Sequence, residues 1–331
     1  MFRKSILAFI LSLLLVPVAL AEEKPTLTIY TYDAFAADWG PAPALTAGFE
    51  ETCDCIVNWV AAASSIEMLR LAQLGGDAAK ADIILGLDTS ILAEAEKSNL
   101  FVAHNVDTSA LKVPNNWRSD DFVPFDYGYF AFIYNKEKLA NPPRSFEQMA
   151  SSERNLKIII QDPRSSTPGL GLMLWVRAAF GNDANEAWAE IAPRVLTMTR
   201  SWSESYNLFL KGEADMVLSY TTSPAYHLIA ENDDRYKAAK FREGQYLQIE
   251  VAGILKASDN KPLARKFLAY LISPAAQTII PTSNWMYPVA DIPLPKGFET
   301  LIKPKRVLLL EAADVAKNRA AWIKQMLAAF K

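Results

Sequence analysis

The chain has 331 residues, 51% of them apolar, and 34 Lys and Arg against 37 Asp and Glu leave a formal net charge of −3. Apolar content at this level excludes a disordered chain, and the length admits two domains. There is no basic excess to neutralise a phosphate backbone, which excludes a nucleic-acid binder, and two histidines with two cysteines are too few for a His-rich or four-cysteine metal site.

Arg3 and Lys4 precede an apolar run from Ile6 to Leu20, broken by Ser12 and Pro17, that ends in Ala19-Leu20-Ala21 ahead of two glutamates. A basic start, an apolar stretch and a small-x-small site predict a secretory signal cleaved after Ala21. The run is shorter than the about 20 residues of a membrane span, so an exported, soluble protein is expected, with an uncleaved anchor as the alternative. In an oxidising compartment Cys53-Asp54-Cys55 is expected to close a small disulfide ring, strained by its single intervening residue. A C-x-C metal or redox role is the alternative, for which further ligands and a redox fold are missing.

Strand and helix patterns then alternate. Leu27–Asp33, Cys55–Ala61 and Asp82–Leu87 read as strands, with helices over Pro43–Glu50, Ile66–Leu74 and Leu92–Lys97. Units of this length predict an α/β fold in which a mainly parallel sheet is flanked by helices, with ligands at the carboxyl ends of the strands. Phe122–Asn135 is a long aromatic extended segment suited to crossing from one lobe to the next. A second unit follows, with strands over Leu156–Gln161, Val195–Thr199 and Asp215–Tyr220 and helices over Pro168–Phe180, Asn182–Ala192 and Ser203–Lys211. Gln245–Ala257 is a plausible return crossing, and the tail reads as helices over Lys261–Ile272, Pro274–Ile280 and Ala312–Phe330. Val315, Trp322, Met326 and Phe330 share one face of the last helix, as core packing requires. Two α/β lobes linked by extended crossings describe a hinge-bending solute receptor; an enzyme of the same architecture has the same outline.

The stretch Gln161–Gly169 follows a strand and opens a helix, with Thr167 placed as N-cap and Pro168 as first helical residue. Free N–H groups and the hydroxyls of Ser165, Ser166 and Thr167 suit an anion; a plain capped helix is the alternative. Trp202, Tyr220, Tyr226 and Trp285 fall at strand ends or in loops, where rings are available to stack on a flat or cationic ligand. No nucleophile elbow, phosphate loop or zinc-protease motif is present. Gly169-Leu-Gly171 lacks the third glycine of a dinucleotide fingerprint, and His104 and His227 read as packing residues. Nothing in the sequence argues for turnover, and no cofactor or metal is expected.

The segments 28–41 (TIYTYDAFAADWGP), 81–88 (ADIILGLD), 121–143 (DFVPFDYGYFAFIYNKEKLANPP), 158–175 (IIIQDPRSSTPGLGLMLW), 201–227 (SWSESYNLFLKGEADMVLSYTTSPAYH) and 281–290 (PTSNWMYPVA) closely resemble the periplasmic thiamine-binding proteins of bacterial ABC transporters. The resemblance spans essentially the whole mature chain. It implies the two-lobe type II solute-binding fold with hinge strands, here about 22–123 plus 257–331 for the first lobe and 124–256 for the second. It also implies binding of thiamine and its mono- and diphosphate in the interlobe cleft, and delivery to a permease with its ATPase by a monomeric receptor in the periplasm. By the same resemblance the ligand-binding residues are Tyr32, Ser64, Ser65, Ser166, Thr167, Trp202, Tyr220, Thr221, Thr222, Ser223, Tyr226 and Trp285. One departure stands out: at Ser64-Ser65 the family pattern has an Asp-Gly pair, so a carboxylate is missing. A charge-assisted bond of that kind contributes about 1.5–3 kcal/mol. Asp33, Asp88 and Glu67 are the candidate substitutes, or the two hydroxyls favour a phosphorylated form or a related pyrimidine or thiazole. Ferric ion held by tyrosinates and a thiamine-degrading transferase with a cysteine nucleophile are the remaining alternatives.

Overall fold

The structure is a computed structural model and describes residues 23–76, 80–153 and 155–331. The expected signal, residues 1–21, lies outside the described residues. Runs of β-branched and aromatic residues form β1 (Thr26–Tyr32), β2 (Ile56–Ala62) and β3 (Ile83–Asp88), followed by the short β4 (Phe101–Val102) and the long β5 (Phe122–Asn135). The second half contributes β6 (Ile158–Gln161), β7 (Val195–Thr199), β8 (Met216–Tyr220) and the short β9 (Tyr236–Ala238). The long β10 (Gln245–Leu255) and the two-residue β11 (Tyr287–Pro288) and β12 (Val307–Leu308) complete the set.

The main strands are ordered β2-β1-β3-β10-β5-β8-β6-β7. β1 is parallel to β2 and β3, and β6 is parallel to β7 and β8. These are the parallel arrangements the strand–helix alternation predicts. β10 is antiparallel to β3, and β5 is antiparallel to both β10 and β8, so the sheet as a whole is mixed. The first part of β5, Phe122–Tyr129, is bonded to β10; from Phe130 onward its partner is β8. β5 and β10 are therefore the two expected crossings. Every residue of β10 is buried, as a strand covered on both faces must be.

Ten consecutive residues of the helix Thr167–Phe180, from Thr167 to Val176, are buried, which places it at the centre of the second half. Its Trp175 joins Phe132, Phe146 and Phe241 in a cluster with ring centroids 4.8–6.5 Å apart. Gly169 and Gly171 serve close packing here. A Cβ on Gly171 would lie 2.1 Å from a ring carbon of Phe130 on β5.

The expected helix over 274–280 is two short pieces, Pro274–Gln277 and Ile280–Ser283, the second with Pro281 in its first turn. The last helix, Ala312–Ala328, buries Val315 and Met326 and packs Trp322 and Phe330 against the core, as its apolar stripe predicts. It lies against the helix Leu92–Lys97 of the first half and against Thr167–Phe180 and Ala184–Ile191 of the second. Arg319 and Arg70 share Glu94, the Arg177 guanidinium stands 5.0 Å over the Trp322 ring, and Trp188 and Phe330 are 6.2 Å apart. A segment expected to belong to the first lobe alone thus touches both.

Gly171→Ala gains about 1 kcal/mol of helix propensity but must displace the Phe130 ring, an overpacking that costs about 1–3 kcal/mol. The net expectation is a lower midpoint in urea unfolding; a midpoint at or above that of the parent chain would contradict it.

Candidate ligand-binding site

A cavity with about 800 Å³ of empty space, part of it open to solvent, lies where the carboxyl ends of the strands from both halves meet. On the first-half side the helix Ser65–Gly75 begins at it. Ser64 is the N-cap, its Oγ accepting from the Glu67 N–H at 3.2 Å, while the Glu67 carboxylate accepts from the Ala63 N–H at 3.1 Å. This reciprocal cap leaves Ser64 and Ser65 lining the cavity. On the second-half side Ser166 is the N-cap of Thr167–Phe180, one residue earlier than expected, and makes no side-chain cap bond. Ser166, Thr167 and Pro168 line the cavity, so two helix N-termini with hydroxyls and unpaired N–H groups face one space.

Rings form the wall. Trp202 stacks on Tyr206 with centroids 4.9 Å apart, and its Nε1 donates to Ser219 Oγ at 2.9 Å. Ser219 in turn bonds Ser223 at 2.7 Å. Tyr226 and Trp285 meet edge to face at 5.4 Å. Trp285 has φ +57°, a left-handed conformation that turns the chain after the Ile280–Ser283 helix. Tyr206 and Tyr226 contact His227, which burial pushes below its ordinary value; its Nε2 lies 2.9 Å from the Tyr206 hydroxyl and its Nδ1 2.6 Å from Glu231. His104 likewise serves local packing, bonded to the Ser119 carbonyl and the Val106 N–H.

The floor is acidic. Asp88 on β3, Glu250 on β10 and Asp126 on β5 are register partners on three adjacent strands, which sets three carboxyl groups in a row on one sheet face. Glu250 lines the cavity; the Tyr32 hydroxyl is hydrogen-bonded to its Oε2 at 2.9 Å, and Gln248 Nε2 donates to its Oε1 at 2.9 Å. Gln248 Oε1 accepts from the Tyr220 hydroxyl at 2.9 Å, and Asn284 Nδ2 donates to Asp126 at 2.6 Å. Burial, reinforced by the neighbouring acids, pushes Glu250 well above the carboxylate range. Burial raises Asp126 to about 8 and Asp88 to about 6, the latter against bonds from Ser90.

The cavity brings together Tyr32, Ser64, Ser65, Ser166, Thr167, Trp202, Tyr220, Ser223, Tyr226 and Trp285. Thr221 and Thr222 stay outside it. Both are buried in the turn after β8, where the Thr221 N–H donates to the Tyr129 carbonyl and the Thr222 hydroxyl faces Met286 Sδ at 3.9 Å. That turn is closed by the Ser223 N–H to the Tyr220 carbonyl, and the alternation of the strand no longer holds in it. Cys53 and Cys55 are disulfide-bonded with Cα atoms 5.2 Å apart. They lie before β2, at the end of that strand away from the cavity.

Sequence reasoning missed Glu250, Tyr206, Asn284 and Met286 as lining residues. Asp33 also lines the cavity, where burial raises its carboxyl, and it accepts from Ser203 across the cleft at 3.2 Å. Glu67 reaches instead to Arg200, a second bond between the halves at the mouth. Among the described residues no group of three or more His, Cys, Asp or Glu is disposed to hold a metal ion, and no helix is long and apolar enough to cross a membrane.

Asp88 supplies a pH test. Its carboxyl titrates near 3.8 unfolded and about 6 folded, so between those values the folded state holds more protons. Its contribution therefore falls as pH rises from 4 to 6 and is flat above, a loss on the order of 3 kcal/mol. Relative to the parent, Asp88→Asn should gain stability across that window in urea titrations; parallel curves would refute the assignment.

The sequence model of the family described as bacterial extracellular solute-binding protein matches residues 27–278. The thiamine-binding periplasmic protein of Salmonella typhimurium is 52% identical over 315 residues, covering 95% of this chain and 96% of that one. A solved periplasmic thiamin binding protein superposes with a TM-score of 0.91 at 52% identity, covering 93% of this chain and 97% of the other. The ferric binding protein from Campylobacter jejuni, at 20% identity and a TM-score of 0.76 over 92% and 99% of the two chains, shares the fold.

Proposed function

The chain belongs to the bacterial extracellular solute-binding proteins, and from that membership we propose that it is the extracytoplasmic receptor of a thiamine ABC importer. The observation that carries this reading is the cavity itself: aromatic rings on one side, two helix N-termini opposite one another, and a carboxylate floor. Thiamine has the matching parts, a flat aminopyrimidine, a cationic thiazolium and a hydroxyethyl arm that is phosphorylated in two of its forms. Rings and cation attract by about 0.5–2 kcal/mol per contact. The helix starts at Ser64-Ser65 and Ser166-Thr167 suit the arm and its phosphate.

On this reading the protein is a monomeric, non-enzymatic receptor. It is exported with cleavage after Ala21, closes about β5 and β10 between lobes near 22–123 plus 257–331 and 124–256, and delivers its ligand to a permease and its ATPase. Ferric ion is the poorer match, because the Tyr220 hydroxyl is spent on Gln248 and, among the described residues, no group of three or more His, Cys, Asp or Glu stands by to complete a metal's ligands. A cysteine-dependent transferase is poorer still, since Cys53 and Cys55 are bonded to each other beyond the far end of β2.

Adding thiamine at near-stoichiometric amounts should quench tryptophan fluorescence and raise the melting temperature. Trp202→Leu should weaken binding about two- to thirtyfold, the ratio equivalent to one ring contact. Ser166→Ala should weaken the phosphorylated forms more than thiamine. No response to thiamine, its phosphates or its pyrimidine and thiazole halves would reject the function.

A further inference from the structure

The hydrogen bonds of the cavity floor do not balance if every carboxyl is ionised. The Tyr32 hydroxyl lies 2.9 Å from Glu250 Oε2 and 3.1 Å from Asn284 Oδ1, two acceptors for one hydrogen. Asn284 spends an amide hydrogen on Asp126 Oδ2. The chain closes when Glu250 holds a proton: its O–H donates to Tyr32, Tyr32 donates to Asn284 Oδ1, and Asn284 donates to the Asp126 carboxylate. Turning the Asn284 amide over reverses every bond and moves the proton to Asp126, so the count stays at one.

The groups facing this chain offer no positive charge in its place. Glu250 meets Tyr32 from β1, Asp88 from β3, Asp126 from β5 and Asn284 from the loop before β11; Gln248 beside it on β10 is neutral and is tied to Tyr220 of β8. None of the groups that perturb Glu250 is a cation. Burial raises both Glu250 and Asp126, and the neighbouring acids raise Glu250 further, in agreement with one shared proton near neutral pH. Glu250 is the member of the pair that lines the cavity.

We propose that Glu250 and Asp126 share one proton in the empty cleft and that a ligand cation settling over Glu250 expels it, so that binding is coupled to proton release. The proposal rests on the reading of the cavity as a thiamine site and assigns Glu250 as the carboxylate that stands in for the one missing at Ser64-Ser65. The proton passes from the carboxyl to solvent, and the thiazolium charge replaces it. Tyr32 then donates to the Glu250 carboxylate, and the Oδ1 of Asn284, a residue that lines the cavity, is freed to accept from a ligand N–H.

Calorimetric titration of the full chain with thiamine at pH 7, in buffers of different ionisation enthalpy, reads the proton directly. About one proton should be released per thiamine, and affinity should rise with pH, by up to about tenfold per unit, while the pair is protonated. Glu250→Gln copies the protonated state, its amide donating to Tyr32 and its oxygen accepting from Gln248. It should fold, bind thiamine about ten- to a hundredfold more weakly, and show neither proton release nor the pH slope. Asp126→Asn puts an amide donor where the shared proton would sit and removes one repelling neighbour, so proton release per thiamine should fall below that of the parent; this variant decides the matter if Glu250→Gln does not fold. Parent protein that binds thiamine with no proton exchange overturns the proposal and leaves the function standing, as does undiminished release by either folded variant. Parent protein that does not bind thiamine at all overturns the function.

Discussion

The pairing of β5 with β10 is the constraint on which the rest depends. Register runs from Leu247 opposite Tyr129 to Gly253 opposite Phe122, and beyond Tyr129 strand β5 passes to β8. Two adjacent strands therefore connect both halves and run beneath the space between them. A bulge between Glu250 and Val251 adjusts the register where the acids sit. On the cleft face, Gly128 stands opposite Gln248. A Cβ there would come within 2.6 Å of Met286 and 3.4 Å of Tyr220, so the missing side chain is what lets the Trp285 loop and β8 close over the floor. On the receptor reading, relative motion of the halves is taken up where β5 changes partners, around residues 129–130.

A site of this construction divides its work between polarity and shape. The rings supply area and quadrupole, favouring a flat cation without a full opposing charge. The helix starts supply partial positive charge for an anionic or hydroxylated arm. The floor supplies negative charge that burial and crowding hold in reserve, since three carboxyl groups on neighbouring strands cannot all ionise without a cation among them. Asp33, at the start of the short helix after β1, and Glu250 on β10 are the carboxylates that line the cavity, and neither comes from the loop after β2.

Much of this was legible in the sequence because it depends on local signals. The strand–helix alternation, the apolar length of Phe122–Asn135 and of Gln245 onward, and the proline after Thr167 each reflect a nearby physical preference, and the elements follow them closely. Trp202, Tyr226 and Trp285 were legible for a related reason: rings at strand ends or in loops have no local core to enter. Glu250 was not, although a signal existed. It is a charged residue in the middle of an apolar strand, where burial demands a reason. Its meaning depends on Asp88 and Asp126, 162 and 124 positions away, and register between distant strands is not written locally. Tyr206 was obscured by helical spacing that reads as packing, and Thr221 and Thr222 fall outside the cavity because the strand's alternation breaks in the turn after it.

The contacts that join the halves at the mouth are too weak to close the cleft by themselves. Arg200 is 65% exposed in its pair with Glu67, and an exposed ion pair contributes about 0–1 kcal/mol, at most a few-fold in population. The Ser203 to Asp33 bond adds a comparable amount. Shifting an equilibrium from mostly open to mostly closed takes about 5.5 kcal/mol. On the receptor reading that difference comes from a ligand touching both sides at once, with Tyr32, Ser64 and Ser65 lining one and Ser166, Trp202 and Tyr226 the other. The last helix adds a further condition. Through Arg319, Trp322 and Phe330 it is fastened to both halves away from the mouth, so any opening would bend or slide a packed helix as well as rotate two strands. In a receptor of this build the mouth contacts fix alignment, and ligand binding supplies the force for closure.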